Sequence, residues 1–405
     1  MGARTATRTV ALVGAGLLLA ACGGGGGGGG ANAGGGSGPP APPQATAYQG
    51  PVGAGEGKLS VLAWPGYAED GSTSPDVDWV TPFEQQTGCQ VSVKTFATSA
   101  EAVQLFGTGE YDVISASGDA SLRLVYGDRV QPVNTGLVPN YADVYADLKD
   151  KPWNSVGGTA YGIPHGRGAN LLLYNLAATP TPPTSWADMW NANSPDKGKI
   201  SPYDDAIYIA DAAVYLKATQ PDLKITDPYA LDQKQFDAAI ALLEQQKPLV
   251  NEYWGDYIKQ SQGLASGSVV EGQGWQLTAN LANTDGEKVG TAKPKEGATG
   301  WSDTWMVRKD TPNINCSYLW LNHVVSPQVN AQIAEYFGEA PANQKSCALT
   351  KNTNHCTQFH AGETDFWKDV YYWTTPTAQC LDGRTDTQCV AYDDWVKAWS
   401  KLRSA

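Results

Sequence analysis

Between residues 58 and 117, apolar extended segments alternate with helical ones, and this alternation restricts the fold more than any other feature. Residues 59–64 are apolar and extended, and a helix follows from about Asp78 until Gly88 stops it. Val91 and Val93 then alternate with polar neighbours, Ser99 is placed to cap a second helix ending near Gly107, and residues 111–116 form a third strand. Strand–helix–strand order calls for a parallel sheet, because parallel neighbours need a long crossover between them. Such sheets take ligands where loops leave the C-terminal ends of the strands. Those ends are Trp64-Pro65-Gly66-Tyr67 and Ser115-Ala116-Ser117-Gly118-Asp119.

Ahead of this sheet the composition changes. Arg4 and Arg8 precede an uncharged run from Val10 to Ala21, too short to span a membrane well, which ends in Leu19-Ala20-Ala21-Cys22. This order predicts an export signal over residues 1–21. It resembles the bacterial lipobox, in which the cysteine, here Cys22, receives lipid and anchors the exported chain to the cell membrane. Residues 22–57 are rich in glycine and proline, with an unbroken glycine run from Gly23 to Gly30, and read as a tether. A coil of this kind reaches roughly 30–35 Å.

About 350 residues follow, more than one core usually holds, so two lobes are expected. The second begins after Ile163-Pro164-His165-Gly166-Arg167-Gly168, enters an apolar strand at 171–174, and continues with helical spacing over 206–218 and 236–243. Ser185-Trp186-Ala187-Asp188 has the form of a capping box. Residues 300–307 read as the crossing back. The predicted lobes are 58–165 with 302–345, and 166–301 with 346–405.

Charge and cysteines narrow the class. The chain has 28 basic and 41 acidic residues, a net −13, and removal of the signal with Arg4 and Arg8 brings this to −15. Nucleic acid needs clustered Lys and Arg, so a polyanion is an unfitting partner and a small cation a fitting one. Besides Cys22 there are Cys89, Cys316, Cys347, Cys356, Cys380 and Cys389. An even number in an exported chain reads as disulfides, with fifteen pairings possible. Proximity suggests Cys347–Cys356 and Cys380–Cys389, leaving Cys89–Cys316. The rival is a zinc site from Cys347, His355, Cys356 and His360, although adjacent His355-Cys356 is awkward for a metal. No nucleophile elbow, phosphate loop or zinc-protease helix occurs, so neither catalysis, a metal nor a cofactor is expected.

Several blocks are similar to the spermidine/putrescine-binding proteins of ABC importers. They include Leu62-Ala63-Trp64-Pro65-Gly66-Tyr67, Tyr111-Asp112-Val113 through Ser117, Tyr161-Gly162-Ile163-Pro164 and Thr184-Ser185-Trp186-Ala187-Asp188. Asp204-Asp205, Lys295-Glu296-Gly297 with Trp301 and Asp303, and the turn from Gly338 to Asn343 extend the match. The resemblance implies an α/β, two-lobed periplasmic-binding-protein fold, type II-like, with two hinge crossings near 166–168 and 300–301. It implies a monomer that captures a polyamine between its lobes and delivers it to ABC permease subunits. The family's ligand residues map onto Trp64, Tyr67, Ser117, Asp205, Trp275, Trp301 and Asp303.

This sequence departs from the family pattern at Asp119 (for an aromatic), Tyr208 (for a glutamate), Glu339 (for a tyrosine) and Arg167 (for an aromatic). Asp119, Tyr208, Glu339 and Arg167 therefore join the candidate site, with the number of acids roughly kept. Asp119 could equally cap the helix that starts at Ala120. Arg167 has two readings: an internal ion pair with Asp119 or Glu339, or a bidentate grip on a ligand carboxylate, which would make the solute a zwitterion such as 4-aminobutyrate. On chemistry alone, Trp64, Tyr67, Trp275 and Trp301 would wall the methylenes of a polyamine while Asp303 and Asp205 accept its ammonium groups. A secreted enzyme, or a sensory or adhesive surface lipoprotein, are the competing classes.

Overall fold

The computed structural model describes residues 45–404. The expected signal, Cys22 and the greater part of the tether lie outside the described residues.

The first lobe is built on a mixed sheet in the order Gln90–Thr95, Lys58–Ala63, Val113–Ala116, Thr304–Arg308 and Val130–Gln131, with Gly162–Pro164 also paired to Thr304–Arg308. The predicted parallel unit is present: Lys58–Ala63 runs parallel to both of its neighbours. Thr304–Arg308 joins it antiparallel, a strand that returns from the second lobe. Val113–Ala116 is buried along its whole length, which explains its apolar run without alternation. Gln90–Thr95 is the sheet edge, and Val93 is 39% exposed, so the alternation there marks no second core face. The helix after the first strand is Val80–Thr87, ended by Gly88 at φ 73°. The next is Ser99–Phe106, capped by Thr98 rather than Ser99, whose hydroxyl points elsewhere.

The second lobe has one sheet of Ile200–Ser201, Glu271–Gly274, Leu171–Asn175 and Val289–Ala292, and another of Ala340–Pro341, Gly166–Ala169, Ala298–Trp301 and Val370–Tyr372. Its helices Ile209–Thr219, Gln233–Gln246 and Tyr392–Ser404 pack around Trp395, Leu243 and Ile209. The expected capping box at Ser185 is absent: the Ser185 hydroxyl and the Trp186 amide both donate to the Glu296 carboxylate, a tertiary partner that local spacing cannot reveal.

The lobes meet where three passages of chain run side by side. His165 N–H donates to the Asp303 carbonyl (3.2 Å), Ser302 Oγ donates to the Gly166 carbonyl (3.0 Å), and Ala342 N–H donates to the His165 carbonyl (3.1 Å). Both glycines here serve close approach. A Cβ on Gly166 would lie 2.1 Å from the Glu339 carboxyl carbon, and one on Gly168 would lie 2.3 Å from the Trp301 ring.

The disulfides are Cys89–Cys316, Cys347–Cys356 and Cys380–Cys389. This removes Cys347 and Cys356 as zinc ligands; His355 Nε2 instead lies 2.8 Å from the Glu339 carbonyl and His360 Nδ1 2.8 Å from Glu363. Residues 45–57 correct the tether's end. Tyr48 stacks obliquely on Tyr318, and the Glu56 carboxylate accepts the amides of Asn315 and Cys316 at the start of helix Ile314–Val324. Gly53 N–H also donates to Asn315 Oδ1 and Val52 packs on the first-lobe core, so a segment that composition reads as coil is docked by several contacts.

Candidate functional site

A cavity of about 360 Å³ lies between the lobes. The first lobe contributes Trp64, Phe96 and Ser117; the second contributes Tyr203, Trp254, Tyr257, Trp275, Trp301 and Trp373. Asp303 comes from a crossing segment and Phe337 from the end of helix Pro327–Phe337. The rings form a continuous wall: Tyr203 stacks on Trp373 (5.7 Å, 7°) and leans on Trp254 (4.7 Å), Trp254 meets Trp275 edge-on (5.1 Å), and Trp275 meets Trp301 (6.1 Å). Three of the indoles are held from behind. Trp64 Nε1 donates to Ser117 Oγ (3.2 Å) and Trp254 Nε1 to the Gln273 carbonyl (2.7 Å). Trp275 Nε1 donates to Asn170 Oδ1 (3.0 Å), Asn170 donates to Thr299 Oγ1 (2.7 Å), and Thr299 donates to Asp211 (2.8 Å). Burial pushes the Asp211 carboxyl up to about 8, so this chain of bonds ends on a largely neutral acid.

Asp303 is the buried charge of the cavity. It follows Trp301 at the strand end and is 3% exposed. Tyr67 Oη donates to its Oδ2 (2.9 Å), while Oδ1 is buried without a partner. Loss of solvent, opposed by Ser117 and His165 and reinforced by Glu339, raises its pKa to about 6. Behind it, Tyr67 Oη also lies 3.2 Å from Glu339 Oε2, and His165 Nδ1 lies 3.2 Å from Glu339 Oε1. An aromatic box with an unsatisfied carboxylate oxygen can offer cation–π faces and a charge-assisted hydrogen-bond acceptor to a group that enters it.

Residues 78–359 match the bacterial extracellular solute-binding protein family. The chain belongs to that family. It is 25% identical over 299 residues to the spermidine/putrescine-binding periplasmic protein of Escherichia coli K12, covering 71% of this chain and 82% of the relative. The solved spermidine/putrescine ABC transporter substrate-binding protein of Streptococcus pneumoniae superposes with a TM-score of 0.66 at 18% identity, covering 85% of this chain and 99% of that one. A GABA receptor superposes with a TM-score of 0.63 at 18% identity, covering 85% and 97%. These likenesses establish the two-lobed periplasmic-binding fold of this solute-binding protein.

Within the solute-binding protein, the structure places Trp64, Ser117, Trp275, Trp301 and Asp303, five of the candidate site residues, in the lining of the cavity. Tyr67 and Glu339 do not; they form the layer behind Asp303. Asp119 lies between helices and accepts from Ser99 Oγ (2.9 Å); desolvation, then repulsion from Asp205, raises it to about 7. It stands in the first turn of helix Gly118–Tyr126, one residue after the start, rather than capping a helix from Ala120. Asp205 caps the turn Ala206–Tyr208 through the Ile207 amide (3.0 Å) and accepts from Tyr392 Oη (3.3 Å). Tyr208 belongs to the helical core, stacked on Trp190 (5.9 Å) with Gln246 Nε2 donating to its hydroxyl (3.0 Å). These groups have internal partners and are not among the residues that line the cavity.

Arg167 is the sharpest correction. Alternate side chains of a strand face opposite ways, so with Gly168 against Trp301, Arg167 points to the other face. It pairs with Asp147 (2.6 Å), not Asp119 or Glu339, and its guanidinium sits 4.3 Å over the Trp367 ring. Arg167→Met is expected to lower stability by about 1–2 kcal/mol, since an ion pair half open to solvent and a cation–π contact are lost while the buried stem is replaced. Urea unfolding measures the loss, and a shifted ranking of solutes in the same variant would show that Arg167 reaches the cavity after all.

Sequence reasoning missed Phe96, Tyr203, Trp254, Tyr257, Phe337 and Trp373. With fourteen tryptophans in the chain, no single ring stands out. Their signal is collective, and it becomes visible only when the fold gathers them.

Proposed function

We propose that this protein captures a polyamine of the putrescine or spermidine kind between its lobes and passes it to an ABC permease, as an exported monomer held to the cell membrane through lipid on Cys22. The supporting observation is the unpartnered, buried Oδ1 of Asp303 at the end of an aromatic box. An ammonium group fits there as donor and counter-charge, and the rings cover the methylenes. The names of the relatives point the same way. The zwitterion reading required Arg167 to grip a carboxylate, and Arg167 is bound to Asp147 on another face. Among the described residues no helix is long and apolar enough to cross a membrane. Closure takes place about the passages at 165–168 and 300–303.

A thermal-shift and calorimetric screen of diamines, polyamines, amino acids, betaines and sugars tests the proposal. Putrescine or spermidine is expected to raise the melting temperature most and to make the scattering profile more compact. Tighter binding of 4-aminobutyrate than of putrescine would overturn the polyamine assignment.

A further inference from the structure

We infer that the site reads the second charge of its solute at the mouth, through Asp256, so that an amine lies with one ammonium buried at Asp303 and the other beside Asp256. This rests on the amine reading above. Three of the acids suggested by sequence, Asp119, Asp205 and Glu339, are not among the residues that line the cavity, and each accepts at least one internal hydrogen bond. Among the described residues lining the cavity, the carboxylates are Asp303 and Asp256. They differ in kind. Asp303 is enclosed, whereas Asp256 is exposed on the loop that carries Trp254, Gly255 and Tyr257, all lining residues.

Asp256 Oδ1 accepts the amides of Ile258 (2.9 Å) and Lys259 (3.3 Å), capping helix Tyr257–Ser266. The cap orients the carboxylate at the mouth. A charge there is solvated, so it adds little affinity and is screened by salt, yet it favours a solute with a second cation over one without. The enclosed end then supplies binding and the open end supplies selection for diamines.

The test compares 1,5-diaminopentane with pentylamine, which share a carbon chain and differ in one charge, on the wild-type protein, Asp256→Asn and Asp303→Asn by calorimetry at low salt. Asn caps helices about as well as Asp, so Asp256→Asn should melt as the wild type does. Asp256→Asn is expected to lower diamine affinity by about three- to fivefold and to leave pentylamine unchanged, with the difference vanishing in high salt. Asp303→Asn should weaken both amines. Equal losses for the two amines in Asp256→Asn, or no loss for either, would overturn the inference. If the wild type binds neither amine, the amine reading itself fails, an outcome distinct from these.

Discussion

Asp303→Asn is expected to weaken amine binding by roughly 10- to 100-fold, or about 1.5–3 kcal/mol, because a hydrogen bond to a charged group in an enclosed site becomes one to a neutral group. The substitution is nearly isosteric, so Tyr67 Oη keeps an oxygen to donate to. The charge also has a pH signature. With a pKa raised to about 6 by burial, Asp303 is partly protonated in mildly acid solution, and a bound cation favours its ionised form. Wild-type affinity should therefore fall as pH drops through 6, with proton release on binding. Stability runs the other way. A carboxyl whose folded pKa exceeds the unfolded value of about 3.9 favours the folded state below that value and loses the benefit as pH rises to 6, by up to about 3 kcal/mol. Asp303→Asn lacks this penalty and should gain stability relative to wild type over the same interval. The groups facing Asp303, namely Tyr67, Ser117, His165 and Glu339, are common to both proteins. Calorimetry at pH 5 and pH 8 checks both signs, and an unchanged dissociation constant would remove Asp303 from the site.

Trp301→Ala should cost more in stability than any other single change at the cavity, about 3–5 kcal/mol. Trp301 is 3% exposed and is wedged between Trp275, Phe337 (5.7 Å) and the bare backbone of Gly168. Removing the indole opens a void where two sheet segments and the hinge converge, and the flanking rings cannot close it because Trp275 is tied to Asn170. Binding should fall as well, since the cavity loses the ring next to Asp303. Trp301→Phe restores an aromatic face at a smaller volume and should recover much of both. Denaturant unfolding and amine titration of the two variants separate the roles. A Trp301→Ala protein that folds stably and binds amines like the wild type would assign Trp301 to neither.

Much of the arrangement is legible in the amino-acid sequence. The parallel unit is visible in residues 58–116 because strands and helices bury different periods, and the short disulfides are visible because loop closure favours near neighbours. Trp64 and Ser117 stand out because they sit at strand ends, where such a sheet must place its ligand loops, whereas Trp301 and Asp303 stand out only through the family resemblance. Arg167, Tyr208, Asp119, Asp205 and Glu339 mislead for one reason: a position in a motif names a neighbourhood, not a direction. Arg167 differs from Gly168 by one residue, and the pleat of the strand sends it to the opposite face and to Asp147.

The amino-acid sequence by itself determined the lobed α/β architecture, the cysteine partners closest in sequence, and the acidic balance that suits a cationic solute. Those properties follow from local periodicity, chain-closure entropy and net charge, which need no knowledge of what packs against what. Tertiary structure alone decided which acids face the cavity and which rings make its wall. Tyr203, Trp254, Trp275 and Trp373 are far apart in the chain and form one surface only through contact. Whether a carboxylate is free for a ligand likewise depends on partners such as Ser99 or Tyr392 that arrive from distant segments, and hydrogen bonding to those partners, not residue type, sets its availability.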